Sequence, residues 1–365
     1  MSQQTAEWMA LFQRPRTARL GAWLVPFAAI AAALVVGVGL VAATSSDPLR
    51  AVSAFVDGAF GSSYAIAASL NRSTAFMLVS VGFLFAFRAR LTNVGGEGQL
   101  AVGGVLATAF ALEWGADTLP GGLAVAVPLA AAAVAGGLWG AIAGALKVWR
   151  GANEVITTLM LTFIGLWLLY WVTHSVSLLR QPMTDATSLP ESATLPVSTH
   201  MPVMAMDSSG ILHAGLVVAL VLAAIVAVVL SRTVIGVWLE AVGLNPQASR
   251  RAGLPNGLIV VLGLSVAGAL SGLAGGMMIQ GDQHNLKAEF PSGYGFDGLV
   301  IGLLARQSVT LAVLFSLFFG FLRSGGIYME IVAGVPSAVV HVMQGVVVLT
   351  VAGSAWFARR VEASA

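Results

Sequence analysis

The sequence predicts an all-α, polytopic membrane protein, and three observations carry that prediction. Hydrophobic residues make up 58% of the 365 residues and charged residues only 9%, whereas soluble domains carry roughly a quarter charged residues. Mean hydropathy is +0.89, and stretches such as Ile211–Leu230 run for about twenty residues without a formal charge. At 1.5 Å per residue, such a run as helix matches a hydrocarbon core of roughly 30 Å. The third observation is that the basic residues segregate between alternate loops.

The apolar spans fall at about 24–43, 64–87, 94–113, 119–146, 154–175, 211–230, 257–280, 293–305, 308–322 and 335–356. That is ten, with some short or discontinuous. The eighth holds few continuously apolar residues after Asp297, which suits a half-helix or a re-entrant segment. With the N-terminus inside, thirteen basic residues lie in inner loops (Arg14, Arg16, Arg19, Arg88, Arg90, Lys147, Arg150, Arg232, Arg250, Arg251, Arg306, Arg359 and Arg360). Five lie outside: Arg50, Arg72, Arg180, Lys287 and Arg323. This positive-inside bias predicts cytoplasmic N- and C-termini. The domain reading is then a cytoplasmic segment 1–23, a transmembrane domain 24–356 and a cytoplasmic tail 357–365. The Arg-bearing lead reads as part of the mature chain rather than a cleaved signal. Within the transmembrane domain, 176–210 is a Pro- and Ser/Thr-rich extracytoplasmic loop and 231–256 is the largest cytoplasmic loop.

Composition also excludes function classes. A net charge of +2 without a basic run gives no footing for nucleic acid. No Cys is present, which removes disulfides and thiolate metal sites. The five His residues show no ligand spacing, so no metal or cofactor is expected. An intramembrane enzyme would need a nucleophile–base or metal constellation, and none is legible. An ion-coupled secondary transporter would need buried ionisable groups; only the neighbourhood of Glu97 qualifies.

Two spans carry small-residue ladders, Gly136/Gly140/Gly144 and Gly268/Gly272/Gly276. A spacing of four places each set on one helical face, where it lets a neighbour approach closely. The polar residues inside apolar spans are few. Asn71 and Arg72 lie in the second span, and Arg72 is expected to snorkel outward. Asn153 and Glu154 open the fifth span as a helix cap and a dipole-matched acid, or else as path residues. The richest stretch is Arg90–Leu100, RLTNVGGEGQL. It follows Ser73–Phe87, a run short for a full crossing, and its glycines suggest a discontinuous helix. Asn93 and Glu97, four apart, are expected on one helical face and Gln99 on another. Capping and a place on a transport path both account for Asn93 and Glu97 at this level.

Five motifs then point to a family. Phe87–Gln99 (FRARLTNVGGEGQ) resembles the F-R-x-G-x-x-N-I-G-x-E-G-Q signature of bacterial ABC importer permeases serving branched-chain amino acids, simple sugars and nucleosides. Ala152–Leu161, Gly243–Leu254, Ser292–Arg306 and Gly334–Gly345 resemble further family motifs in the same order. The E-G-Q, N-E-V-I and G-Y-G-F forms look most like the nucleoside-type branch. Arg90, Ser249 and Leu254 depart from the family's usual Gly, Ala and Ile.

The resemblance implies a permease subunit of the bacterial plasma (inner) membrane that carries a small polar solute. A nucleoside is expected, with a sugar or a branched-chain amino acid as the alternative. It further implies a cytoplasmic ABC ATPase, a second permease and an extracytoplasmic substrate-binding lipoprotein as partners. No phosphate-binding G-x-x-x-x-G-K-[ST] loop is present, so ATP hydrolysis is expected on another chain. Expected path residues are Asn71, Asn93, Glu97, Gln99, Asn153, Glu154, Thr157, Tyr294 and Phe296. Phe87, Phe163, Tyr294 and Phe296 are candidates for stacking on a flat base. Expected ATPase-coupling residues are Glu240, Gly243, Asn245, Pro246, Ala248, Arg251 and Gly253.

Overall fold

The computed structural model describes residues 31–32, 35–43, 47–182, 189–204, 210–336 and 338–350. Residues 24–30 and 33–34 of the expected first span, the lead 1–23 and the tail 357–365 lie outside these residues; 31–32 and 35–43 of that span are helical. The described residues form helices α1 (Pro48–Phe60), α2 (Ser63–Arg88), α3 (Gly96–Leu112), α4 (Leu123–Arg150), α5 (Glu154–His174), α6 (Gly215–Arg232), α7 (Val234–Leu244), α8 (Pro246–Arg251), α9 (Asn256–Met278), α10 (Tyr294–Leu304), α11 (Val309–Ala333) and α12 (Ala338–Thr350). Among them, α2, α4, α5, α6, α9 with its π-helical extension to Gln283, and α11 are long and apolar enough to cross a bilayer. Residues Ala59–Ser324 make one compact unit; the flanking residues belong to another, in which Gly325 packs on Phe55 and Gly326 on Val340.

The centre of the larger unit is the pair α4–α9. The two glycine ladders face each other there, as the sequence predicts. A methyl group built on Gly136 would sit 2.3 Å from the Gly268 carbonyl oxygen, and one on Gly272 2.3 Å from that of Ala132. Backbones that touch this closely hold by dispersion and polar contact rather than by a hydrophobic drive, which is weak between helices in lipid.

Two expectations about span lengths need correction. The stretch Ser73–Phe87 is not a short crossing: α2 is one helix of 26 residues. It continues through Asn71 and Arg72 because both find partners. Asn71 donates to the Ile211 carbonyl (2.8 Å) and to Asp282 (3.0 Å). Arg72 donates to the Ser324 hydroxyl at 2.9 Å rather than only snorkelling. Likewise the ninth span does not stop at 322, because Arg323 is neutralised within α11. It bonds Asp297 at 3.3 Å and the Ser292 carbonyl at 2.6 Å.

The loop expected at 176–210 is more ordered than its composition suggests. Its described part is stitched to the end of α9 by backbone bonds from Ser192 to Leu286, Leu195 to His284 and Met201 to Gln280. His200 and His284 stack there at 3.8 Å, although no cluster of metal-ligating side chains occurs among the described residues.

Candidate translocation site

Among the helices too short to cross, α3 and α10 lie within the bundle interior. At 1.5 Å per residue, α3 spans about 25 Å and α10 about 16 Å. Both begin at mid-depth of the bundle. Gly98, in the first turn of α3, packs on Thr162 and Gly165 near the middle of α5. Tyr294, the first residue of α10, stacks on Phe76 in the middle of α2 (4.6 Å). From this level the helices run in opposite directions. Along α10, Gly298 meets Val79 and Gly302 meets Phe83, and Gln307 just beyond bonds Arg88. It therefore descends toward the basic end of the bundle. Along α3, Gly103 meets Gly272 and Gly104 meets Phe290, so α3 climbs toward the far end.

Two helix N-termini thus meet in the interior. A helix N-terminus leaves its first N–H groups without intrahelical partners, and each one unsatisfied in hydrocarbon costs several kcal/mol. Glu97 takes two of them. One carboxylate oxygen accepts from Gly293 N–H at 2.6 Å and the other from Gly295 N–H at 2.5 Å. The acid also faces the positive end of the α10 dipole. The glycines make this possible: a methyl group on Gly295 would lie 2.1 Å from the Glu97 nitrogen. The GGEG and SGYGF motifs, about 200 residues apart in sequence, are therefore the two halves of one junction.

The chain reaches the junction through residues 91–95, an unwound stretch between α2 and α3. The backbone of Val94 is satisfied by α5: Thr158 Oγ1 accepts from Val94 N–H (3.1 Å), and Thr162 Oγ1 donates to the Val94 carbonyl (3.5 Å). Sequence reading missed both threonines; their spacing of four, onto one face of an apolar helix, was the available signal.

Asn93 precedes α3 rather than belonging to it, so the expectation that it shares a helical face with Glu97 fails. It pairs instead with Gln99, which was expected to point elsewhere. Asn93 Nδ2 donates to Gln99 Oε1 (2.9 Å), and Asn93 Oδ1 accepts from Gln99 Nε2 (3.2 Å) and from Gly95 N–H (3.0 Å). The two amides thus pair with each other, each NH₂ using one of its two N–H donors.

Beside the junction lies a half-open cavity of about 840 Å³, whose lining includes Glu97, Phe163, Trp167, Tyr170, His174, Glu191, Lys287 and Ser292. Of the sequence-predicted path residues, only Glu97 lines it. Asn71 sits toward the N-terminal end of α2, where it also accepts from His213 N–H. Asn153 caps α5 by accepting from Val155 N–H and Ile156 N–H, and Glu154 pairs with Lys147 at 2.5 Å; both lie at the basic end. Thr157 Oγ1 bonds back to the Asn153 carbonyl. Tyr294 is buried behind the junction with the Arg323 guanidinium 4.5 Å from its ring centroid. Phe296 is half-exposed on α10. Of the expected stacking aromatics, Phe163 lines the cavity, whereas Phe87 stacks on Phe83.

The basic end carries the elbow α7–α8. Asn245 interrupts the helix and its Oδ1 caps α8 by accepting from Gln247 N–H (3.1 Å) and Ala248 N–H (2.9 Å), with Pro246 at the first helical position. Gly243 packs on the backbone of Arg88–Ala89, and Gly253 takes φ +83°, a conformation that favours glycine. Glu240 pairs with Arg88 at 2.7 Å. Ala248 and Arg251 lie in α8, both of them exposed.

Broken helices that meet at mid-depth recur in membrane transporters, where they line solute sites. Residues 65–352 match the family described as branched-chain amino acid transport system, permease component, and the chain belongs to that family. A guanosine ABC transporter permease from Bacillus subtilis is 34% identical over 92% of this chain and 94% of its own length. A glucose ABC transporter permease from Haloferax volcanii is 32% identical over 93% and 90%. A nucleoside ABC transporter permease from Lactococcus lactis is 30% identical over 90% of each. No solved structure matches the chain. The protein is an ABC transporter permease subunit, embedded in the membrane by multiple helices.

Proposed function

We propose that this subunit forms the translocation path of an ATP-driven importer, that its cargo is a nucleoside, and that cargo passes beside Glu97. The observation that carries the reading is the meeting of α3 and α10 around that carboxylate, open to a cavity large enough for a small polar solute. Guanosine and nucleoside permeases among the relatives support the cargo. The glucose permease relative supports a sugar as the second reading. In this proposal the chain spans the plasma membrane ten times with both ends cytoplasmic. Residues 231–256 then face the cytoplasm, with the tail 357–365 and the lead 1–23, while 176–210 faces outward toward a substrate-binding lipoprotein. A second permease completes the path.

ATP hydrolysis resides on a separate cytoplasmic ATPase that grips the elbow. Ala248 and Arg251 are exposed for contact, while Glu240, Gly243, Asn245, Pro246 and Gly253 shape the backbone that presents them. Uptake of radiolabelled guanosine and glucose by cells carrying the whole transporter tests the proposal. Guanosine uptake is expected, lost on ATP depletion and lost in Glu97→Ala with ATPase association intact. Undiminished uptake by Glu97→Ala removes Glu97 from the path, and uptake of glucose alone replaces the cargo. For the elbow, Gly253→Trp is expected to abolish ATPase pull-down; full retention argues against that contact.

A further inference from the structure

The cavity beside Glu97 has one unusual wall. On α5, Phe163, Trp167, Tyr170 and His174 recur at spacings of four, three and four, so they share one face. All four line the cavity. They climb from the level of Glu97 toward the far end of the bundle over about 16 Å at 1.5 Å per residue. The upper rings brace one another: Tyr170 stacks on His174 at 3.8 Å and meets Trp167 edge-to-face at 5.5 Å. Trp167 itself stays 68% exposed and Phe163 50%, leaving broad ring faces toward the cavity.

Lipid is the wrong occupant for this space. Glu97 at mid-depth and Glu191, Lys287 and Glu289 above it all line the same cavity, and charge facing hydrocarbon is costly. The contents are therefore aqueous solute, and the cavity is two-sided. One side is aromatic, while the other carries a carboxylate. Glu97, only 4% exposed, accepts from the Gly293 and Gly295 N–H groups and is also held by the backbone of Phe296; of a carboxylate's roughly four lone-pair sites this leaves limited further acceptor capacity at the cavity wall.

We infer that Trp167 is the specificity-determining platform of the permease, stacking the planar base of a nucleoside whose sugar hydroxyls donate to Glu97 one turn below. The inference rests on the proposed path beside Glu97 and deepens it, because it selects flat heterocycles over plain sugars. A base offers the indole a full π-face on either side, whereas a hexose offers only the C–H groups of one ring face, a weaker contact.

The test is equilibrium binding of tritiated guanosine to the purified permease–ATPase complex without its binding protein, so that selection by that protein does not enter. Trp167→Ala is expected to raise the guanosine Kd about tenfold, equivalent to about 1.4 kcal/mol. Trp167→Phe should stay within threefold, and glucose should not displace guanosine at equal concentration. Trp167 is exposed, so an unchanged melting midpoint is expected for both variants. A Trp167→Ala Kd equal to wild type overturns the platform while leaving the path beside Glu97 standing. Guanosine bound by neither wild type nor variant, with glucose bound by both, overturns the nucleoside cargo and the platform together. Loss in Trp167→Phe equal to that in Trp167→Ala, with normal melting, shows that the indole makes some contact other than stacking and also overturns it.

Discussion

The two breaks in this bundle use the same local device in opposite surroundings. At the interior junction, Asn93 Oδ1 accepts the backbone N–H two residues on; at the elbow, Asn245 Oδ1 does the same and reaches the third residue as well. What differs is the rest of each side chain. The NH₂ group of Asn93 is buried and is matched by Gln99, whose own amide returns a bond. Asn245 stands at an exposed surface, where water serves its remaining group. A turn in hydrocarbon must close its own hydrogen-bond account, while a turn in water need not. The glycines differ in the same way. Gly295 is required because a Cβ there would run into the Glu97 backbone, Gly253 by a positive φ with open space around it.

Four substitutions test this contrast. The largest effect is expected from Gly295→Ala, whose methyl would be driven into the Glu97 backbone. Overpacking in a close-packed interior costs about 3 kcal/mol, and the purified complex should melt well below wild type; an unchanged midpoint would show that the junction is not backbone-to-backbone. Next comes Gln99→Ala, which orphans the Asn93 amide. Leaving a buried polar group unpaired costs about 2 kcal/mol. Replacing both residues at once should cost less than the two singles summed, so strict additivity in a double-mutant cycle would break the proposed pairing. At the elbow, Asn245→Ala removes only a cap, worth about 1 kcal/mol. Its effect should register in ATPase association more than in melting, and the reverse pattern would mean the elbow supports the bundle itself. Smallest is Glu240→Ala. Its pair with Arg88 is partly exposed and screened, worth about 0.5 kcal/mol; a shift of several degrees in the melting midpoint would place that pair in the same class as the interior junction.

Much of this was legible beforehand because apolar length, glycine spacing and basic-loop bias are local signals. The ladders on α4 and α9 were assigned to close packing, and close packing is what they do. The cap at Asn153 was one of two readings open there, and it is what Asn153 does. One error arose where a polar group in a span was taken as a reason for the helix to end. Arg323 suggested a boundary at 322, yet its helix continues, since Asp297 and the Ser292 carbonyl satisfy it; Asn71 and Arg72, placed within the second span, do lie within α2. Trp167 and Tyr170 were passed over because an aromatic in an apolar run looks like packing until its neighbours in space are known.

By itself the sequence determined the membrane-embedded helical class, the positions of most helices and the family, since these follow from composition, period and ordered motifs. Only the tertiary structure decided that the glycines of Gly95–Gly98 and Gly293–Gly295 serve a single junction, that Glu97 binds the N-terminus of a helix some 200 residues downstream, and that Asn93 and Gln99 hydrogen-bond each other. The physical reason is that a buried polar group is defined by its partner. In a chain that doubles back through the bilayer, the partner of Glu97 is set by the packing of α3 against α10, which no local stretch of sequence encodes.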